Sequence, residues 1–476
     1  MAFPISIGKA LGLSGLSFPP LKIGLRRLLE PSSRFLLHGP SALTMDRRRL
    51  YWPQCDLVIE NDRIADLQPY DPKRGENFAG EVLDLRGFLL MPGFVQAHVH
   101  LCQSLFRNQA DHLSLLDWLQ QRIWPLENAH DPVSLKASAA LGMAEMLLNG
   151  TTAILDMGTV RHTEVIFEQA AACGMRMVGG KAHMDAGDAL PAGMKEDRQA
   201  SLDQAEALCR QYHGSAGGRL RYAFAPRFVL SCSDALLSDS AALARQLGAR
   251  LHTHASENQD ECKAVFQRYG RGNVEALADL GLQGPDCVLA HGVWLEPDDG
   301  QRLAEAGTHL VHCPSANLKL ASGFAPIPEL QAQGVSLALG ADGAPCNNNL
   351  DPWWELRLAS LIHLPGRGAQ AMPAHSLLEM ATLGGARALG LESEIGSLET
   401  GKQADLLVLK MQQPWSIPAG PDPAATLVYS GGPRNLEQVW IGGRRVVNRG
   451  ELLTLDLESV QRQAEEQWSA LRERLP

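Results

Sequence analysis

The amino-acid sequence predicts an α/β protein, a (β/α)8 TIM-type barrel beside a small β-sandwich domain built from both chain ends. Three observations predict it. From Met91 onward, eight short β-rich runs alternate with amphipathic helical stretches. Several of these runs end in His or Asp, residue types that serve chemistry at the C-terminal rim of barrel strands. Outside this region, both ends of the chain carry segments that alternate apolar and polar residues, the period of a half-buried strand.

The barrel strands fall at residues 93–100, 151–157, 176–183, 221–227, 250–254, 287–291, 309–313 and 335–342. Between them, residues 133–148 (VSLKASAALGMAEMLL) are rich in Ala, Leu and Met and stop at Asn149-Gly150, a helix terminator. Residues 241–247, 274–280 and 301–305 fit the same helical role. A doubly wound sheet is the alternative for such alternation. It would place a Gly-rich phosphate turn after its first strand, whereas here that strand ends His98-Val99-His100.

At the flanks, residues 55–68 (CDLVIENDRIADLQ) alternate around a turn at Asn61-Asp62, and residues 404–409 and 439–447 read as further strands. Residues 35–90 and 400–455 are therefore assigned to the small β-sandwich, 91–399 to the barrel and 456–476 to a charged terminal helix. Residues 1–34 are expected to form a disordered or loosely docked extension. Their apolar run is cut by Phe18-Pro19-Pro20, and Lys22, Arg26 and Arg27 follow it, the reverse of a secretory signal.

Composition narrows the partners. A chain of 476 residues suits a barrel-sized domain plus a smaller one. With 45% hydrophobic and 20% charged residues it reads as a soluble globular protein. A formal net charge of −10 without a long basic run excludes nucleic acid and anionic membranes and leaves a small-molecule substrate. No apolar stretch approaches the roughly 18 residues of a membrane span. Nine cysteines without a C-x-x-C pair argue against disulfides or a thiolate zinc site and point to the cytoplasm.

The chemistry lies at the strand ends. In a strand, residues i and i+2 share a face, so His98 and His100 can meet one metal ion. Strand five ends in His252-Thr253-His254, strand six in His291, strand seven in His312 and strand eight in Asp342. His98, His100, His254 and Asp342 thus form a candidate cage for one divalent ion. Zinc is the first choice, with iron or manganese as alternatives. Such an ion lowers the pKa of water in its open position. Glu257, three residues beyond His254, is placed to move that proton, although a carboxylate there also suits the start of the helical run 261–267. His291 is a second base or electrophilic contact. Trp118 and Trp124 read as packing or pocket-wall residues, His312 as support behind the site, and Lys319 as a surface or loop charge.

These residues resemble the amidohydrolase superfamily, in its branch of aminated-heterocycle deaminases. The resemblance spans about residues 50–450 and includes MPGFVQAHVH, LLDWLQQRIWPLE, NGTTAILDM, APRFVLSC, HTHASENQDE, LAHG, HCPSANLKLASG, LGADGAPCNNN and IGSLETGKQADLLVL. It implies that His98, His100, His254 and Asp342 bind the metal, that Glu257 shuttles the proton, and that His291 holds the water or developing oxyanion. It also implies that Asp342 helps take the water's proton, and it adds a homo-oligomer by analogy. NLKLASGFAPIPEL and GADGAPCNNNLD are similar to deaminases of S-adenosylhomocysteine, methylthioadenosine and 5'-deoxyadenosine, which implies a ribose contact for Glu127. Gln103, Arg227 and PRFVLSC are instead similar to guanine deaminases, where such an Arg and Gln read the base. Other readings are a pterin or triazine deaminase or chlorohydrolase, a cyclic-amide hydrolase, and a non-catalytic barrel. Cyclic-amide hydrolases often need a carbamylated lysine where this chain has Arg227, and the scaffold reading conflicts with the complete set of site residues.

Overall fold

The computed structural model describes residues 34–475. The expected N-terminal extension lies outside the described residues, apart from Arg34, which opens a strand (Arg34–His38). Eight parallel strands form the barrel: β1 (Phe94–His100), β2 (Thr151–Thr159), β3 (Arg176–His183), β4 (Leu220–Pro226), β5 (Arg250–Ala255), β6 (Cys287–His291), β7 (His309–His312) and the divided β8 (Ser336–Leu339 and Asp342–Gly343). They follow one another around the sheet in chain order. Every residue of β2 and β3 is buried, as in parallel strands covered on both faces. The sequence places all eight strands; the structure adds the division of the last one.

That division closes the barrel. Ser336–Leu339 pairs with β7, whereas Asp342 and Gly343 pair with Val99 and His100 of β1. Between the two pieces the chain presses on β1: a Cβ added to Gly340 would lie 2.7 Å from the His98 carbonyl oxygen. Only glycine allows this approach. Asp342 itself has φ of 63°, a left-handed conformation uncommon outside glycine.

The helix Pro132–Leu148 starts at a capping box, with the Asp131 side chain accepting from the Ser134 N–H and Pro132 in the first turn. It packs against the terminal helix Leu457–Arg472, where Ala140 and Ala144 meet Val460.

Two sheets from the chain ends lie outside the barrel. One runs Arg63–Pro69, Cys55–Glu60, Arg34–His38, Glu81–Asp84. The other joins N-terminal strands, including Phe88–Pro92, to C-terminal strands, including Leu406–Lys410, which pair antiparallel. A shared apolar core holds Phe35, Leu57, Ile59, Leu90, Leu406, Val408 and Trp440. The barrel is tied to this unit by a buried ion pair: Arg176 at the start of β3 donates to Asp405 through Nε at 2.8 Å and Nη2 at 3.0 Å. Asp405 also accepts from the Gly442 N–H at 2.7 Å. Asp405→Ala leaves the Arg176 charge buried and unpaired. A loss of about 3–5 kcal/mol in unfolding free energy is expected from denaturant titration.

Candidate active site

The strand ends converge as the barrel requires. His98 and His100 project from one face of β1, their ring centroids 5.0 Å apart. His254, from the end of β5, brings its Nε2 to 3.2 Å from His100 Nε2. Asp342 Oδ1 lies 3.3 Å from His98 Nε2 and 3.4 Å from His100 Nε2. Among these residues, two groups have ligand atoms all within 4.8 Å of one another: His98, His100 and His254, and His98, His291 and Asp342.

Hydrogen bonds fix which nitrogen His254 and His291 present. A carbonyl can only accept, so His254 Nδ1 donates to the Arg227 carbonyl at 2.7 Å and its Nε2 keeps a lone pair. His291 Nδ1 lies 2.9 Å from Asn317 Oδ1, which leaves Nε2 toward the site. His98 Nδ1 lies 2.9 Å from His252 Nε2, and His98 Nε2 is buried with no hydrogen-bond partner.

Burial lowers the pKa of His98, and lowers those of His100 and His254 far more, favouring neutral rings. The two carboxyl groups move apart. Burial acts to raise Asp342, but contact with His98 and the electrostatic influence of His98, His100 and His291 outweigh it and hold the carboxyl well below its usual range. Glu257 is pushed well above its usual range, first by burial and then by the charges of Asp342 and Glu261.

Glu257 is held by its backbone. Ser256 adopts φ of 54°, and the buried Glu261 carboxylate accepts the N–H groups of both Glu257 (2.8 Å) and Asn258 (3.3 Å). The helix Gln259–Tyr269 takes Asp260 and Glu261 into its first turn, so Glu257 is free to face the pocket, 3.6 Å from His291 Nε2.

A pocket opens beside these groups. His100, His254, Glu257 and Asp342 form its chemical side; Gln103 and Arg227 add polar groups, and Leu115, Trp118, Leu119 and Phe228 form apolar walls. Glu127 sits behind this surface. Arg227 donates to it through Nη1 (2.5 Å) and Nη2 (3.0 Å), and Gln103 Nε2 donates at 2.8 Å. His100, Cys102 and Glu127 also lie close enough to hold an ion, but the guanidinium already neutralises that carboxylate. Burial pushes the Cys102, Cys313 and Cys346 thiols well up, which keeps them protonated.

Lys319 is more than a surface charge. Its ammonium donates to the Pro345 carbonyl at 2.8 Å and to Asn348, and pairs with Asp111 at 2.6 Å, joining three rim loops. His312 stands 3.4 Å from His363. Sequence reasoning gave no role to His252 or Asn317. The i, i+2 spacing of His252 and His254 was a usable signal for the first; the second is visible only once the chain is folded.

Residues 89–446 match the Amidohydrolase family. The chain is 34% identical to the 5'-deoxyadenosine deaminase of Methanosarcina mazei, over 90% of this chain and 98% of that one. It is 36% identical to the 5-methylthioadenosine/S-adenosylhomocysteine deaminase of Syntrophobacter fumaroxidans, over 89% of this chain and 95% of the relative. The fold overlays the crystal structure of an adenosine deaminase from Xanthomonas campestris with bound zinc at a TM-score of 0.87 and 31% identity, covering 93% of this chain and 99% of that one. On the extent of the family match and of these identities, the chain belongs to the amidohydrolase family.

Proposed function

We propose that the protein is a metal-dependent hydrolytic deaminase that releases ammonia from an aminopurine nucleoside such as 5'-deoxyadenosine, methylthioadenosine or S-adenosylhomocysteine. The observation that carries this reading is the convergence of His98, His100, His254 and Asp342 beside Glu257, whose carboxyl burial pushes well above its usual range. The names and long coverage of the two deaminase relatives support the nucleoside.

The residues fit a divalent cation. His98 Nε2 is buried without a partner, His254 Nε2 holds a lone pair, burial favours neutral imidazoles, and Asp342 stays ionised. His98, His100, His254 and Asp342 would hold it. The nitrogen and oxygen donors, and the zinc bound by the Xanthomonas campestris enzyme, favour zinc. When bound, the ion supplies the positive charge that makes a water acidic near neutral pH.

The chain's own groups move the protons. Asp342, ionised, takes a proton from the attacking water, and His291 Nε2 orients that water. Glu257, kept protonated by burial, gives its proton to the ring nitrogen next to the amino-bearing carbon, so negative charge does not accumulate as that carbon becomes tetrahedral. Asp342 passes the water's proton on to the amino group, which leaves as ammonia, because an amide anion is too basic to depart. Leu115, Trp118, Leu119 and Phe228 form an apolar wall against which a purine ring can pack.

Three outcomes are expected. In an ammonia-release assay with 5'-deoxyadenosine, Glu257→Gln lowers kcat by about 10²–10⁴-fold; near-normal turnover overturns the assignment of Glu257. Chelator dialysis abolishes turnover and zinc restores it. The same substitution also changes stability with pH. The folded pKa of Glu257 exceeds its unfolded value. Its contribution is therefore fully present below the unfolded pKa and is lost as pH rises toward the folded pKa. Metal-free Glu257→Gln is thus expected to melt above metal-free wild type at neutral and alkaline pH, the gap closing toward acid.

A further inference from the structure

No residue that lines the pocket is more than 9% exposed. A nucleoside therefore has to displace part of the wall on its way in. Three of the apolar wall residues, Leu115, Trp118 and Leu119, belong to one segment, the short helix Leu115–Trp118 and the turn that follows it. That turn, Leu119–Ile123, is a π-turn set inside a run of helix, an irregularity frequent at functional sites.

The two sides of the π-turn are held differently. Beyond it, the helix Trp124–Asn128 is anchored to the body of the protein. Arg161 donates to the Asn128 carbonyl at 2.6 Å, Arg474 donates to the Ala129 carbonyl at 2.8 Å, and Glu127 pairs with the buried Arg227. Before the π-turn, polar ties near the surface join the chain to the opposite rim. Asp111 pairs with Lys319 at 2.6 Å, their side chains 41% and 24% exposed. Asn108 accepts from Asn348 at 2.7 Å, also at the surface. Exposed contacts of this kind contribute little each and break readily. In the shut arrangement the Trp118 indole N–H is buried without a hydrogen-bond partner, a cost that opening relieves.

We infer that residues 108–119 form a lid over the pocket, hinged at the π-turn and latched by Asp111 on Lys319. Lys319 is the fixed half of the latch. It ends the helix Pro314–Lys319 that follows β7, and it donates to the Pro345 carbonyl in the turn after Asp342. The lid thus shuts onto the loop that follows the site's own carboxylate, and closure keeps bulk water from the reacting groups. The inference rests on the nucleoside reading above only for the size of the substrate that has to enter.

The test places a thiol on the inner face of the lid. Zinc-loaded Leu115→Cys is treated with N-ethylmaleimide, and the labelled peptides are located by mass spectrometry, with the buried Cys313 as internal reference. Leu119→Cys serves where Leu115→Cys does not fold. The expected result is that the introduced thiol labels faster than Cys313. Adding Asp111→Ala, a surface change that leaves the other Lys319 bonds in place, speeds that labelling about threefold or more without moving Cys313. A thiol as inert as Cys313, or a rate that Asp111→Ala leaves unchanged, overturns the lid. Asp111→Ala alone is expected to raise KM for 5'-deoxyadenosine about threefold without lowering kcat, because the shut form that holds the substrate is weakened. An unchanged KM overturns the gating role. Should wild type release ammonia from no nucleoside, the nucleoside reading falls instead, and the labelling rates, which need no substrate, still decide the lid.

Discussion

The site depends on how the barrel closes. A continuous eighth strand paired only with β7 would not carry its end onto β1. The interruption after Leu339 lets Asp342 and Gly343 pair with Val99 and His100, and this brings the Asp342 carboxylate against both β1 histidines. The interruption strands backbone groups in the interior, which must find partners. Gln96, a buried amide within β1, accepts the Ala341 N–H at 3.1 Å and donates to Thr151 at 2.9 Å and to the Leu350 carbonyl at 3.0 Å. Asn347 donates to the Ala341 carbonyl at 2.8 Å. The left-handed Asp342 is held in place by this network, as strained residues at functional sites generally are.

Electrostatics then separates the two acids. Asp342 and Glu257 share one buried neighbourhood, yet the imidazoles of β1 and β6 hold the first well below the usual carboxyl range, while burial and the charges of Asp342 and Glu261 push the second well above it. Two carboxyl groups with pKa values driven apart can serve as base and acid in one turnover. The arrangement is unfavourable for the metal-free fold, because buried neutral rings and a desolvated acid give up hydration.

Most of the fold was legible in the sequence because the barrel repeats one pattern and ends its strands in unusual residues. The strand-end placement of His98, His100, His254, His291 and Asp342 was readable from position alone. The break in β8 was not, since Gly340 and Ala341 read as a continuation of the strand 335–339 and only contact with His98 shows why Gly340 is required. Lys319 was read as a loop charge because its partners, Asp111, Pro345 and Asn348, lie far away in sequence. The stacking of Glu127 behind Arg227 joins residues one hundred positions apart, so spacing carried no trace of it.

Behind several polar groups of the site stands another that orients it. His252 backs His98, Asn317 backs His291, Glu261 holds the Glu257 backbone, and Glu127 holds Gln103 and Arg227. Such support is what keeps a site within the narrow tolerance its chemistry needs. Arg227 occupies both layers. Its carbonyl accepts from His254 Nδ1, from the His254 N–H at 3.1 Å and from Thr253 Oγ1 at 3.2 Å, while its guanidinium lines the cavity. Any residue at this position supplies the same carbonyl. The side chain that lines the cavity can therefore change without disturbing the ring that completes the histidine cluster.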